Sequence, residues 1–358
     1  MGGMDNRRPS TAATINDVAR EAGVSTSTVS YVMSGKRTIS KDTREVVEAA
    51  MRRLNYSPRS SARALASSRS NVLGLVVPLR ADVNVGVVMQ FVTAVVTTAR
   101  TFNQDVLLLT QDDAGSIERV TSQSMVDGLL MMDIEARDPR IPVLAKLQKP
   151  AVLIGMPDDP RGLSCVDFDF AAASRTAVRH LAGLGHRGIA FIGSPPASLR
   201  RHATYADRAL QGFRDACNSL DVANVSVACE ANSPDLANAL DKVFSGADDI
   251  TALLVHNEGL LPMLRENLAA RGLAIPDDVS VAVIAPADVA MAATHPWTAV
   301  SIPAMDIGRA AVEMVMDRLS LDKPAELRLI APTLTDGETT APAPAGSDQA
   351  PARSAPAR

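Results

Sequence analysis

The strongest constraint in this chain lies near its start. Residues 14–35 read Thr14-Ile-Asn-Asp-Val-Ala-Arg-Glu-Ala-Gly-Val-Ser-Thr-Ser-Thr-Val-Ser-Tyr-Val-Met-Ser-Gly35, a pattern suited to two short helices about a tight turn. Ile15, Val18, Ala19 and Ala22 recur at i, i+3, i+4 and i+7 and give the first helix one apolar face. Thr14 can cap it, with Asp17 reaching back as in a capping box. Gly23 supplies a turn conformation that a Cβ would resist. Ser25 caps the second helix, in which Val29, Val32 and Met33 face inward. Thr26, Ser27, Ser30, Tyr31 and Ser34 are then outward, short or polar, with no carboxylate to repel phosphate. Such a helix fits a DNA major groove, N-terminal end toward the base edges. The alternative is an ordinary helical hairpin packed on a core.

Charge distribution favours the first reading. The formal net charge of −4 conceals a split: residues 1–70 hold 12 basic and 6 acidic side chains, leaving 24 and 34 for the rest. A basic head on an acidic body suits a head that meets a polyanion and a body that does not. The chain's 358 residues are enough for two or three domains, each with its own core. Cys165, Cys217 and Cys229 are too few and scattered for a disulfide framework or a zinc site, and read as buried free thiols. No apolar run opens the sequence as a secretory signal would. The longest uncharged stretch, residues 83–99, is interrupted by Asn84, Gln90 and three threonines and is short for a membrane span. The expected location is the cytoplasm. There is no phosphate-binding Gly loop, metal spacing or assembled nucleophile–base–acid set, so no enzyme activity, metal or cofactor is expected.

Along the chain, residues 1–13 read as a disordered N-terminal tail. After the first two helices, Ser40 caps a third, with Val46, Val47, Ala50, Met51 and Leu54 as its apolar stripe. Residues 14–56 thus form one three-helix head. Residues 57–70 make a linker with Pro58 at a helix start and Ser57 as its cap, too short and weakly apolar to hold helix unaided. Leu65, flanked by Ala64 and Ala66, is the one large apolar side chain on this basic tether and fits a wedge for a minor-groove base step.

From residue 71 the chain alternates strand-length apolar runs with helix-length stretches. The runs fall at residues 72–77, 105–110, 128–132, 152–154, 189–192, 225–229, 252–255 and 279–284. That rhythm argues for parallel sheets flanked by helices. The strands are too many for one ordinary sheet, so two lobes are expected, with a ligand cleft at the carboxyl ends of their strands. Residues 335–358, rich in Ala and Pro, read as a disordered tail without the leucine heptads of a coiled coil.

Three motifs carry a family resemblance: Asp17-Val-Ala-x-x-Ala-Gly-Val-Ser-x-x-Thr-Val-Ser30, Asn55-Tyr-x-Pro58 and Ala62-Arg-x-Leu65. All resemble the lactose/purine repressor (LacI) family of transcriptional regulators. His180-Leu-x-x-Leu-Gly-His-Arg-x-Ile-Ala-Phe-Ile-Gly193 and Gly272-Leu-x-Ile-Pro-Asp-Asp-Val-Ser-Val281 resemble that family's effector-binding core. The resemblance spans roughly residues 14–331. It implies a fold class of an all-α helix-turn-helix head plus an α/β periplasmic-binding-protein-like core of two lobes with parallel sheets. In such a core the chain crosses between lobes three times, here near Asp169, Ala299 and Lys323. Lobe 1 is then about 71–169 and 300–322, and lobe 2 about 170–299 and 324–334.

The resemblance also assigns roles. Base-reading positions fall on Thr26, Ser27 and Tyr31, and the minor-groove pair on Ala64 and Leu65. Tyr31 departs from the Arg or His common at its place, and none of the three offers a bidentate base contact, so no operator sequence follows. Ser25, Thr28, Ser30, Ser40, Thr43, Tyr56 and Arg59 read as phosphate contacts that fix register, or else as caps and solvent-facing hydroxyls. In the cleft, Arg208 stands four residues before Gly212-Phe213 rather than three, and Asn257-Glu258 keeps the family's Asn with a longer acid; Arg208 and Asn257 are the implied effector contacts. Gly155 and Val283-Ile-Ala-Pro286 stand where relatives carry carboxylates. That loss argues for a less hydroxylated or anionic effector, with Arg200, Arg201 and His202 compatible with an anion or with a solvated loop. Trp297 and His186 read as structural.

The implied function is a sequence-specific regulator, a repressor, that binds a pseudo-palindromic operator as a homodimer under control of a small-molecule effector. The competing reading is a cytoplasmic solute-binding sensor without sequence-specific DNA binding.

Overall fold

The structure, a computed structural model, describes residues 13–34, 37–54, 56, 69–111, 113–246, 249–291, 294–321 and 323–344. The head and the α/β core are compact units. In the head, α1 (Ile15–Ala22), α2 (Thr26–Ser34) and α3 (Lys41–Arg53) enclose Val18, Ala19, Ala22, Val29, Val32, Val47 and Ala50. Thr14 donates to the Asp17 carboxylate from its backbone N–H at 2.9 Å and its hydroxyl at 2.7 Å, fixing the start of α1. Gly23 ends α1 in the left-handed region at φ +65°, with its N–H on Arg20 and that of Val24 on Ala19. Val46 departs from the expected stripe: it is 46% exposed, because Val47, Ala50 and Leu54 at i, i+3 and i+7 already fill the inward arc.

The core contains two six-stranded sheets. The first runs β11-β5-β4-β3-β1-β2, with β1 Val72–Val76, β2 Asp105–Leu109, β3 Gly128–Met131, β4 Ala151–Ile154, β5 Ser164–Phe168 and β11 Leu327–Ile330. The second runs β12-β10-β9-β8-β6-β7, with β6 Gly188–Gly193, β7 Ala223–Ala228, β8 Ala252–Val255, β9 Ser280–Pro286, β10 Thr298–Ile302 and β12 Leu334–Thr335. β12 is antiparallel to β10; the pairings β1·β3, β3·β4, β4·β5, β5·β11, β6·β7, β6·β8, β8·β9 and β9·β10 are parallel. Strands such as β3, β4, β6, β8 and β9 are buried along their whole length, as parallel strands covered on both faces must be. Each sheet organises a lobe. Helices α4 (Val85–Thr101) and α13 (Ala304–Leu321) pack together in the first lobe, α7 (Phe170–Gly183) and α9 (Thr204–Ser219) in the second.

The strand pairings move two of the expected crossings. β10 stays beside β9 through Ile302↔Pro286, so the chain leaves lobe 2 at Pro303 and not near Ala299. β11 pairs with β5 from Leu327↔Cys165 to Ile330↔Phe168, so residues 327–330 belong to lobe 1 and the last crossing falls at 331–333 instead of Lys323. The first crossing joins Phe168 to Phe170 at Asp169, whose side chain caps α7 through the Ala172 N–H at 2.9 Å.

The tail is a further correction. Residues 335–344, expected to be disordered, lie against lobe 2. Thr339 is fully buried: its hydroxyl donates to the Val281 carbonyl at 2.6 Å and accepts the Thr298 N–H at 2.9 Å, while the Val281 N–H reaches its carbonyl at 2.7 Å. His186 Nε2 lies 3.1 Å from the Ala341 carbonyl, and its Nδ1 lies 2.8 Å from the Thr251 hydroxyl, a fully used structural histidine. Trp297 is likewise structural, buried beneath the Arg265 guanidinium at 4.2 Å. The remaining expectations for residues 1–12, 57–68 and 345–358 lie outside the described residues.

Candidate functional site

Two places bring chemistry-bearing residues together. The first is the outer face of α2. Thr26, Ser27 and Tyr31 are exposed there, and the Arg37 guanidinium stands 5.8 Å from the Tyr31 ring centroid. Ser25 Oγ accepts the Thr28 N–H at 3.1 Å and lies 2.9 Å from the Thr28 hydroxyl. Ser40 and Thr43 repeat this at 3.3 and 2.7 Å. These four hydroxyls therefore cap α2 and α3 and retain acceptor capacity at the surface. Ser30 is half-buried. Tyr56 packs at the margin of the head core, its N–H on the Met51 carbonyl at 2.9 Å. Arg59, Ala64 and Leu65 lie outside the described residues.

The second place is a cleft of about 280 Å³ between the lobes. The carboxyl ends of β1, β3, β4 and β5 and the N-terminal half of α4 form one wall; the ends of β6, β7 and β8 with α7 and α9 form the other. Asn257 lines it, with Nδ2 donating to the Cys229 carbonyl at 2.7 Å. Arg208 does not line the cleft. Its charge instead acts on Asp167, and its Nε is buried without a hydrogen-bond partner. Gly155 lines the cleft at φ +138°, where a Cβ would meet Ile134 at 2.7 Å. Val283–Pro286 is buried within β9, away from the cleft lining.

Sequence reasoning missed the residues that define the cleft chemically. Asp167 is the penultimate residue of β5, and burial raises its carboxyl to about 7 despite Arg208 and the Phe168 N–H, with Oδ2 left unpartnered. His256 follows β8 with its ring near those of Phe170 (5.3 Å), Tyr205 (6.1 Å) and Phe191 (6.4 Å). Burial lowers it to about 4, and its Nδ1 is unpartnered. Burial also raises Glu258. Position at a strand end was the available signal for His256, which directly follows the 252–255 run; Asp167 gave none, because it interrupts the run of β5.

A cluster of charges joins the lobes beside the cleft. Arg201 donates from Nε to Asp82 at 3.0 Å and from Nη2 to Asp133 at 2.7 Å, and Arg80 meets Asp133 from the other side at 2.7 Å. The Ser198 hydroxyl adds a 2.7 Å bond to Asp82. Burial pushes the Asp82 carboxyl up, but the Ser198 and Arg201 hydrogen bonds outweigh it and hold it below the usual value; at Asp133 burial wins. Backbone bonds from Ala136 to His202 (2.8 Å) and from Thr204 to Ile134 (3.0 Å) reinforce the junction. Arg201 is thus neither a free anion receptor nor part of a solvated loop.

All three cysteines are buried free thiols. Among the described residues, no group of three His, Cys, Asp or Glu side chains could hold a metal ion, and no helix is long and apolar enough to cross a membrane.

Comparison with known proteins agrees with this geometry. Residues 14–59 match the family described as bacterial regulatory proteins, lacI family, and residues 178–340 match a periplasmic binding protein-like domain. The HTH-type transcriptional regulator MalR of Staphylococcus xylosus is 26% identical over 91% of this chain and 98% of its own length. The HTH-type transcriptional regulator CelR of Thermobifida fusca is 29% identical over 91% and 96%. Among solved structures, the lac repressor dimer bound to operator and the anti-inducer ONPF superposes with a TM-score of 0.79 at 23% identity, over 92% of this chain and all of the other.

Proposed function

Because the chain belongs to the LacI family of bacterial regulatory proteins, whose members here are DNA-binding transcriptional regulators and not enzymes, we propose that it is a cytoplasmic repressor. In this reading it binds a pseudo-palindromic operator as a homodimer and responds to a small molecule held in the inter-lobe cleft. The observation that carries it is the capped helix α2, whose exposed Thr26, Ser27 and Tyr31 form a face without a carboxylate. These three side chains meet base edges in the major groove. Ser25, Thr28, Ser30, Ser40, Thr43, Tyr56 and Arg59 meet phosphates, and Ala64 and Leu65 of the 57–70 hinge enter the minor groove.

An exposed apolar stripe on α4, formed by Val85, Met89 and Val96 and extended by Met305 at the start of α13, supports self-association. The cleft, with Asn257 in its lining, supports effector binding. Effector and DNA affinities would then be coupled reciprocally.

Selection of genomic fragments with the purified full chain, followed by gel shifts on the enriched sequence, tests the proposal. A shared inverted-repeat site is expected, with binding altered by cell metabolites. Failure to prefer any sequence over bulk duplex, with or without metabolites, would leave a solute-binding sensor.

A further inference from the structure

The effector cleft is acidic. Asp82, Asp133, Asp167, Glu230 and Glu258 line it, and among the described residues no Lys or Arg does. Asp82 and Asp133 are already held by Arg201 and Arg80. Asp167 and Glu258 have no ion-pair partner in the cleft, and Oδ2 of Asp167 is buried with no hydrogen bond. Phe170, three residues after Asp167, places its ring 5.3 Å from His256, which immediately precedes Asn257 and Glu258. The Asp167 and His256–Glu258 strand ends therefore close on one aromatic floor. Across from it, Val77, Val83, Val87 and Phe91 offer hydrocarbon without a side-chain donor. An anion would find no lining Lys or Arg and would lie among Glu230, Glu258 and the Asp167 carboxyl, on which Arg208 acts from outside the lining. A molecule polar on every side would leave groups unpaired against Val87, Val88 and Phe91 of α4, although Asn84 at its start offers one amide.

We infer that the effector is a small organic cation, a protonated amine or guanidine on an apolar body, with its charged end at Asp167 and Glu258 and its body against Phe91, Val87 and Phe170. The inference rests on the cleft being the effector site. A cation there favours the ionised form of Asp167 and Glu258, whose carboxyls burial holds above their ordinary values, and aromatic faces add to its attraction. Of the two kinds of effector expected from the sequence, less hydroxylated or anionic, this keeps the first and departs from the second. Gly155 and the 283–286 run do lack carboxylates, but Asp167, Glu230 and Glu258 bring them from other strand ends.

The test uses the full chain and probes matched in shape but not in charge: 2-phenylethylamine, 2-phenylethanol and phenylacetate, with the corresponding benzyl and butyl sets and glucose as a neutral polyol. Binding is followed by calorimetry and thermal shift. Amines are expected to bind at least tenfold more tightly than their alcohols, and the acids not at all. Amine binding at pH 6.5 is expected to release a proton, read from its dependence on buffer ionisation enthalpy. Asp167→Asn should abolish that release and bring amine and alcohol within threefold; its unliganded thermal transition shows whether it is folded, and the wild-type charge series stands without it. Equal binding of amines and alcohols, preference for glucose or the acids, or binding without proton release would overturn the inference. Absence of binding by every amine also overturns it. If no probe of any charge binds and operator affinity responds to no metabolite, the effector reading itself fails too.

Discussion

Arg201 in lobe 2 and Asp133 in lobe 1 meet at 2.7 Å across the mouth of the cleft, and Asp82 takes the other side of the same guanidinium at 3.0 Å. All three side chains are at least 85% shielded from solvent, so this is an ion cluster in a low-dielectric junction rather than a surface bridge. Removing the cation leaves Asp133 to Arg80 and Arg140 and leaves Asp82 with the Ser198 hydroxyl. Arg201→Ala is expected to lower stability by about 3–5 kcal/mol and to open the lobes. Urea unfolding and small-angle scattering would show this; an unchanged midpoint and radius of gyration would mean the cluster contributes nothing net.

Asp167 and His256 predict opposing pH dependences. Burial holds Asp167 up at about 7 against an ordinary 3.8, so between those values the folded chain keeps a proton that the unfolded chain has lost. Folding therefore weakens as pH rises through that window. Burial lowers His256 from 6.5 to about 4, so between those values the unfolded chain takes up a proton that the folded chain refuses. Folding then weakens as pH falls. The two slopes cancel between about pH 4 and 6.5. In Asp167→Asn the histidine loses its main opposing group, and stability should fall more steeply than in wild type as pH falls, by up to about 1.4 kcal/mol per pH unit in mid-window. Urea midpoints from pH 4.5 to 7.5 would reveal it, and a variant profile parallel to wild type would contradict the assignment.

Thr339 closes an edge of lobe 2 with its hydroxyl between Val281 and Thr298. Thr339→Val keeps the volume but leaves the buried Thr298 N–H without its acceptor, a loss of about 1–3 kcal/mol. Thermal unfolding of the full chain should register it, together with faster amide exchange at Thr298. Wild-type protection at Thr298 would show that another acceptor had taken over.

Leu65 supplies the proposed minor-groove wedge. Leu65→Ala is expected to weaken binding to the selected operator far more than binding to random duplex, because only the specific complex unstacks a base step. Both affinities must be compared at one salt concentration, since the phosphate contribution varies steeply with salt. Equal losses on the two duplexes would remove the wedge.

Local chemistry was enough for the head and for most strands. The Thr14–Asp17 box, Gly23 and the Ser25 and Ser40 caps act within four residues, so their outcome is written in their spacing. Fully buried parallel strands such as β6, β8 and β9 announce themselves as unbroken apolar runs. β5 was hidden because Ser164 and Asp167 interrupt its run. β11 was hidden because it is an edge strand whose first three residues are exposed.

The sequence by itself determined the three-helix head, its outward hydroxyl face and the parallel α/β character of the body, since each depends on neighbours along the chain. Tertiary structure alone decided the last two crossings, the docking of residues 335–344 and the acidity of the cleft. Those depend on which strand ends meet in space: Asp167 and the His256–Glu258 segment come from separate β–α units, and burial of each carboxyl or ring is created only when the units pack.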